Sequence, residues 1–97
     1  MLKVLIVDDE ALVRRGIVLG VDWAALGCVV VGEAANGEEG IAAVERFSPN
    51  LIITDVRMPK MDGIEMMNRL REKGCRAHVI VLTAYSDFSY ARSALQF

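Results

Sequence analysis

Three short apolar segments of this sequence are each followed by polar side chains with the potential for chemistry. The side chains are Asp8 and Asp9 after the first segment, Asp55 after the second and Thr83 after the third. If these segments are neighbouring parallel strands, their carboxyl ends lie at one edge of a sheet, which is where open α/β sheets bind ligands. Three carboxylates and a hydroxyl would then share one shallow pocket.

Three carboxylates in one pocket restrict the chemistry that can occur there. They repel one another, which favours uptake of a proton by one of them unless a cation neutralises the group. Magnesium, Mg²⁺, suits such a site because it prefers oxygen ligands, keeps several waters and is often shared with a phosphoryl group. A carboxylate is also a nucleophile toward phosphorus and forms an aspartyl phosphate. The residue types therefore favour a Mg²⁺-dependent phosphoryl-transfer site, with a hydroxyl donor at Thr83.

Each of these residues also has a purely structural interpretation. Asp8 and Asp9, taken alone, would serve as caps at the start of a helix. Asp55 would be a turn residue before Pro59, and Thr83 would simply end a strand. The joint placement favours the functional interpretation, because all four polar residues follow the carboxyl ends of apolar segments and none precedes an amino end.

The elements that must position these residues are strands and helices in alternation. Four apolar runs are rich in β-branched residues and do not alternate with polar ones, which is typical of strands buried on both faces of a parallel sheet. The runs are 4–7, 29–31, 51–53 and 79–82. Helical patterns lie between and after them, at about 11–20, between Asn36 and Pro49, between Asp62 and Gly74, and from about residue 86 onward.

Helix boundaries are marked by capping signals. Asn36 followed by Glu39, and Asp62 followed by Glu65, have the spacing of a capping box at a helix N-terminus. The first helical pattern has four apolar residues that we expect to be available for the core, which are Leu12, Val13, Ile17 and Leu19. Its adjacent basic residues, Arg14 and Arg15, are expected on a solvated face of the helix.

Size and composition indicate one soluble domain that spans residues 1–97. The sequence is 54% apolar and 25% charged, and it contains no apolar run of membrane-spanning length and no signal-peptide pattern at its start. We therefore expect a cytoplasmic protein. A net charge of −2 argues against a general nucleic-acid surface. The alternation of strands and helices predicts an α/β fold with a doubly wound parallel sheet.

Three segments of the sequence resemble the response regulator receiver domains of two-component systems, in that family's order. The segments are 4–10 (VLIVDDE), 51–63 (LIITDVRMPKMDG) and 79–84 (VIVLTA). They are similar to the family's first strand with its acidic pair, its phosphoacceptor segment and its switch-threonine strand. The resemblance implies a flavodoxin-like sheet with the strand order 2-1-3-4-5.

The resemblance also implies roles for the residues around the acidic pocket. Asp55 matches the phosphoacceptor, which would receive a phosphoryl group from a partner sensor histidine kinase. Asp9 matches the direct Mg²⁺ ligand, and Asp8 matches the residue that usually reaches the metal through water. Arg57 matches the position whose backbone carbonyl completes the metal shell, together with a carboxylate oxygen of Asp55.

The remaining family positions lie toward the end of the sequence. Thr83 matches the residue that reorients toward the phosphoryl group, and Ala84 matches a small residue that keeps the pocket open. The catalytic lysine of the family, which a proline follows, has no counterpart in this chain, and neither do the fifth strand and fifth helix. We therefore expect a receiver domain cut short after its fourth βα unit. Its fourth strand would offer an edge for homodimer or edge-strand association.

Two further features resemble a particular group of receivers. The link 22–27 before the second strand is long, and the segment 84–91 is rich in aromatic residues. Both are similar to receivers attached to helix-turn-helix regulators of the arabinose-regulator type. This resemblance implies transcription regulation, with DNA bound only through an output domain that is absent from these residues, and no membrane partner.

Three other functions are weighed against the phosphoacceptor signalling domain. An aspartyl-nucleophile phosphatase needs a second acid two residues after the nucleophile, where this sequence has Arg57. A nucleotide or flavin binder needs a glycine-rich loop after the first strand, where Asp8 and Asp9 stand. A pseudo-receiver that only binds a partner stays an alternative for a chain of this length. We expect no enzymatic turnover of an external substrate.

Overall fold

The computed structural model describes residues 1–82, which form a parallel sheet with helices packed on both faces. The elements are β1 (Leu2–Val7), α1 (Ala11–Gly20), a short 3₁₀ helix (Ala24–Leu26), β2 (Cys28–Ala34), α2 (Gly37–Phe47), β3 (Leu51–Asp55), α3 (Gly63–Glu72) and β4 (His78–Leu82). The strand order is β2-β1-β3-β4, and each neighbouring pair is parallel. The predicted α/β fold class and the order 2-1-3-4 are confirmed. The predicted fourth helix lies outside the described residues.

The two faces of the sheet carry separate apolar clusters, because successive side chains of a strand point to opposite faces. On one face, Leu5 and Val7 of β1 pack with Met66 and Leu70 of α3. On the other face, Val4 and Ile6 pack against residues of α1 and its surroundings, which include Ile17, Val18 and Trp23. Every residue from position 4 to 7 is at most 1% exposed. The strand is therefore apolar without alternation, as a sheet covered on both faces requires.

Helix α1 packs differently from the prediction. Leu12 and Leu19 are 89% and 74% exposed, Val13 is also exposed, and only Ile17 of the four predicted core residues packs against a cluster. At about 100° per residue, positions 12 and 19 lie on one stripe of the helix, roughly 140° away from position 17. The partly buried residues of α1 are Arg14, Ile17 and Val18, whose spacing defines the stripe that faces the sheet.

The predicted helix caps are present. The Asn36 side chain accepts a hydrogen bond from the Glu39 amide at 3.0 Å, and the Asp62 side chain accepts one from the Glu65 amide at 2.8 Å. These bonds satisfy backbone amides that the first turn of a helix leaves without a partner. None of the helices in residues 1–82 is both long and apolar enough to cross a bilayer.

Candidate metal and phosphoacceptor site

The structure brings Asp8, Asp9 and Asp55 together at the carboxyl ends of β1 and β3. One carboxylate oxygen from each residue lies within 4.8 Å of the other two. The sheet register explains this convergence, because Val7 pairs with Thr54. Asp8, directly after the end of β1, and Asp55, the last residue of β3, therefore lie at the same edge of the sheet. Residues 46 positions apart in the sequence therefore share one small volume.

The three carboxylates differ in burial and in hydrogen bonding. Asp8 is 5% exposed, and its carboxylate accepts a hydrogen bond from the Glu10 amide at 2.9 Å. Asp55 is half-buried, and one of its carboxylate oxygens accepts a hydrogen bond from the Val56 amide at 2.7 Å. Asp9 is exposed. The cluster therefore has a buried side at Asp8 and is accessible from solvent at Asp9.

The loop between β3 and α3 is folded tightly against Asp55. The Gly63 amide donates to the Val56 carbonyl at 2.7 Å, and a Cβ at Gly63 would lie only 2.4 Å from the backbone oxygen of Asp55. The same loop is tied to α2, because the Met61 carbonyl accepts a hydrogen bond from the Gly37 amide at 2.8 Å. Only a glycine at position 63 allows this close approach.

Arg57 lies in this loop, two residues after Asp55, and its side chain is exposed. A role for its backbone carbonyl in the metal shell stays a prediction. Leu82, the last described residue, pairs with Asp55 in the sheet register. Thr83 and Ala84 lie outside the described residues, and their roles also stay predictions.

A basic residue beside the cluster was not recognised from the sequence. Arg14 is only 17% exposed in its side chain, and it donates from Nη1 to the Asp8 carbonyl at 2.5 Å and from Nε to Glu33 at 3.0 Å. Arg15 is 51% exposed and also pairs with Glu33. The expectation of a solvated face holds for Arg15 and is wrong for Arg14. The spacing of Arg14 with Ile17 and Val18 was the available signal.

The donor set of the cluster fits Mg²⁺. All three side chains offer carboxylate oxygens, which hard divalent cations prefer, and the cluster includes neither the thiolate nor the imidazole that zinc sites use. Mg²⁺–oxygen bonds are about 2.1 Å, so two oxygens on opposite sides of the ion lie about 4.2 Å apart. The observed spacing, within 4.8 Å, suits direct binding by some of the oxygens and contact through water by the rest.

Comparison with protein families and curated relatives gives consistent matches. Residues 4–97 match the family model described as the response regulator receiver domain. The chain is 34% identical over 97 residues to the uncharacterized transcriptional regulatory protein YesN of Bacillus subtilis, and the match covers 100% of this chain. The same match covers 26% of YesN, so the chain spans about a quarter of that relative's length.

Three solved structures are similar to this chain over nearly its whole length. The REC domain of AraT, a response regulator from Geobacillus stearothermophilus, has a TM-score of 0.90 and 43% identity, and the match covers 98% of this chain and 74% of that one. A two-component transcriptional regulator AraC from Clostridium phytofermentans has a TM-score of 0.88 and 38% identity, and the match covers 100% of this chain and 75% of that one. The CheX–CheY–BeF3–Mg complex from Borrelia burgdorferi has a TM-score of 0.83 and 27% identity, and the match covers 98% of this chain and 71% of that one.

Proposed function

Because the chain belongs to the response regulator receiver domain family, as its three motif segments predicted, we propose that it accepts a phosphoryl group on Asp55 with the help of Mg²⁺. Asp8, Asp9 and Asp55 would hold the ion, with the Arg57 carbonyl. The observation that carries the proposal is the convergence of three carboxylate oxygens within 4.8 Å at the carboxyl edge of the sheet. A solved relative, the CheX–CheY–BeF3–Mg complex from Borrelia burgdorferi, supports the same ligand chemistry.

The reaction would transfer a phosphoryl group between two side chains. A carboxylate oxygen of Asp55 would form the new bond to phosphorus as the bond from phosphorus to the donor nitrogen of a histidine breaks. When bound, the ion neutralises negative charge on the carboxylates and on the phosphoryl oxygens. The Val56 amide, which donates to Asp55 at 2.7 Å, holds that carboxylate in a fixed orientation. Thr83 would donate to a phosphoryl oxygen, and the small Ala84 would leave room for it.

The phosphoryl donor is proposed to be a separate sensor histidine kinase in the cytoplasm. His78 is the one histidine of the sequence, and it begins β4 at the amino edge of the sheet, whereas the acidic cluster lies at the carboxyl edge. A donor histidine from outside these residues is therefore needed.

The proposed output is transcription regulation. YesN and the Clostridium protein are both described as transcriptional regulators. The chain covers 26% of YesN, so DNA binding would belong to a region outside these residues. The receiver itself would signal through a change of conformation rather than through turnover of an external substrate.

The test is a calorimetric titration of the purified protein with Mg²⁺, with and without beryllofluoride as a mimic of the phosphoryl group. We expect the protein to bind both, the Asp55→Ala variant to lose beryllofluoride binding, and the Glu10→Gln variant to retain it. Glu10 is a suitable control because it is an exposed acid next to Asp9 that does not belong to the cluster. Unchanged beryllofluoride binding by Asp55→Ala would show that the site assignment is wrong.

A further inference from the structure

We propose that Arg14 is a positioning residue for the metal site, because it holds the peptide unit that joins Asp8 to Asp9. The inference rests on the proposed function and assigns a role in it to a residue outside the acidic cluster. Arg14 would not contact the ion. It would act by fixing the direction in which the two neighbouring carboxylates point.

The Arg14 guanidinium bridges the ends of two strands. From its position on α1 it donates to the Asp8 carbonyl at the end of β1 and to the Glu33 carboxylate near the end of β2. Its side chain is 17% exposed, and α1 turns it toward the sheet together with Ile17 and Val18. Bonds between a guanidinium and a carboxylate are charge-assisted and geometrically specific. The bridge therefore holds α1 and both strand ends in one arrangement.

The carbonyl that Arg14 binds controls the relative orientation of the Asp8 and Asp9 carboxylates. The Asp8 carbonyl belongs to the planar peptide unit between Asp8 and Asp9. On the other side of Asp8, its amide donates to the Ala34 carbonyl at 2.9 Å, which fixes the preceding peptide. With both peptides held, the backbone at Asp8 cannot rotate without loss of one of these bonds. A rotation of the second peptide would turn Asp9 away from Asp8 and Asp55.

The positive charge of Arg14 and its hydrogen bond to the Asp8 carbonyl have opposite effects on Mg²⁺ affinity, so an experiment can separate them. Arg14 and Arg15 share a single carboxylate at Glu33, so these three residues together carry one positive charge near the site. Loss of either arginine would by Coulomb's law alone strengthen the binding of a cation. Loss of the bond from Arg14 to Asp8 would instead weaken it, because the ligands would no longer be aligned.

The experiment compares Arg14→Gln with Arg15→Gln. Both variants remove one positive charge from α1 and one ion pair with Glu33, but only Arg14 also donates a hydrogen bond to the Asp8 carbonyl. The readouts are the Mg²⁺ dissociation constant from calorimetry and the melting temperature without Mg²⁺. We expect Arg14→Gln to weaken Mg²⁺ binding about tenfold, at the lower end of the range for residues that orient metal ligands. We expect Arg15→Gln to bind Mg²⁺ as the unchanged protein does, or slightly more tightly.

A third variant, Arg14→Lys, keeps the charge and one donor but loses the planar fork that reaches two acceptors at once. We expect its affinity to lie between those of the unchanged protein and Arg14→Gln, and it also serves as the test if Arg14→Gln does not fold. A lower melting temperature with an unchanged Mg²⁺ affinity in the Arg14 variants would show that Arg14 is merely structural, while the proposed function would stand. Absence of Mg²⁺ binding by the unchanged protein would overturn both proposals.

Discussion

Replacement of Asp9 by Asn should stabilise the metal-free protein and remove most of its stabilisation by Mg²⁺. Without a cation, the Asp9 carboxylate lies within 4.8 Å of two others, so folding brings three like charges together. Asn has nearly the same shape as Asp and removes only the charge. Asp9 is exposed, so the substitution does not disturb the apolar clusters.

The size of this stabilisation follows from the distance between the carboxylate oxygens. Two unit charges 4.8 Å apart repel by about 0.9 kcal/mol at the dielectric constant of water, and Asp9 takes part in two such pairs. Screening at physiological salt reduces the combined repulsion to about 1 kcal/mol. For a domain of this size, that stabilisation corresponds to a rise in melting temperature of about 4–8 °C. Mg²⁺ at a hundredfold excess over its dissociation constant should add about 2.7 kcal/mol to the unchanged protein, and far less to the variant.

The assay is differential scanning calorimetry of both proteins, with Mg²⁺ or with a chelator, in low salt and in 1 M NaCl. The advantage of Asp9→Asn without metal should shrink in about 1 M salt, where the screening length falls to about 3 Å. Glu10→Gln is the matched control. Glu10 occupies the N-cap position of α1 without a side-chain capping hydrogen bond, and removal of a negative charge from a helix N-terminus should leave the melting temperature unchanged or lower. An Asp9→Asn variant that melts no higher than the unchanged protein without metal, and responds equally to Mg²⁺, would refute the reasoning.

Three further substitutions test the scaffold by urea unfolding. Gly63→Ala should lose about 2 kcal/mol, because the new Cβ would lie 2.4 Å from the Asp55 carbonyl oxygen, whereas Gly16→Ala, with open space around it, should lose nothing. Leu70→Ala should lose about 2–5 kcal/mol, since Leu70 is 1% exposed in the apolar cluster between the sheet and α3; a loss below about 1 kcal/mol would contradict that packing. Asn36→Ala should lose about 1 kcal/mol with the cap of α2, and equal stability would show that the cap is unimportant.

Much of the secondary structure could be predicted because its signals are local. The β-branched runs, and the capping boxes at Asn36 and Asp62, act within a few residues of the chain, and the structure has strands and helices at those places. The edge of the sheet at which the acids lie also followed from the sequence, since each acid follows the carboxyl end of a run. The neighbours of each strand were implied only by the family resemblance, because periodicity carries no information on strand order.

The packing of α1 could not be predicted in the same way. Its apolar residues lie around most of the helix, so the pattern allowed Leu12 or Leu19 to face the core as readily as Ile17. The structure turns Ile17 and Val18 toward the sheet and leaves Leu12 and Leu19 exposed. The choice depends on how the helix lies across β1, which is a property of the assembled sheet.

The sequence by itself determined the chemical types at the site, the order of strands and helices along the chain, and the edge of the sheet at which the carboxylates lie. Only the tertiary structure showed that Arg14 reaches both Glu33, 19 residues away, and the Asp8 carbonyl, and that Gly63 touches the backbone of Asp55. The physical reason is that propensity and capping act between near neighbours in the chain. Contacts between α1, β1 and β2 exist only after the sheet has assembled and its side chains have packed.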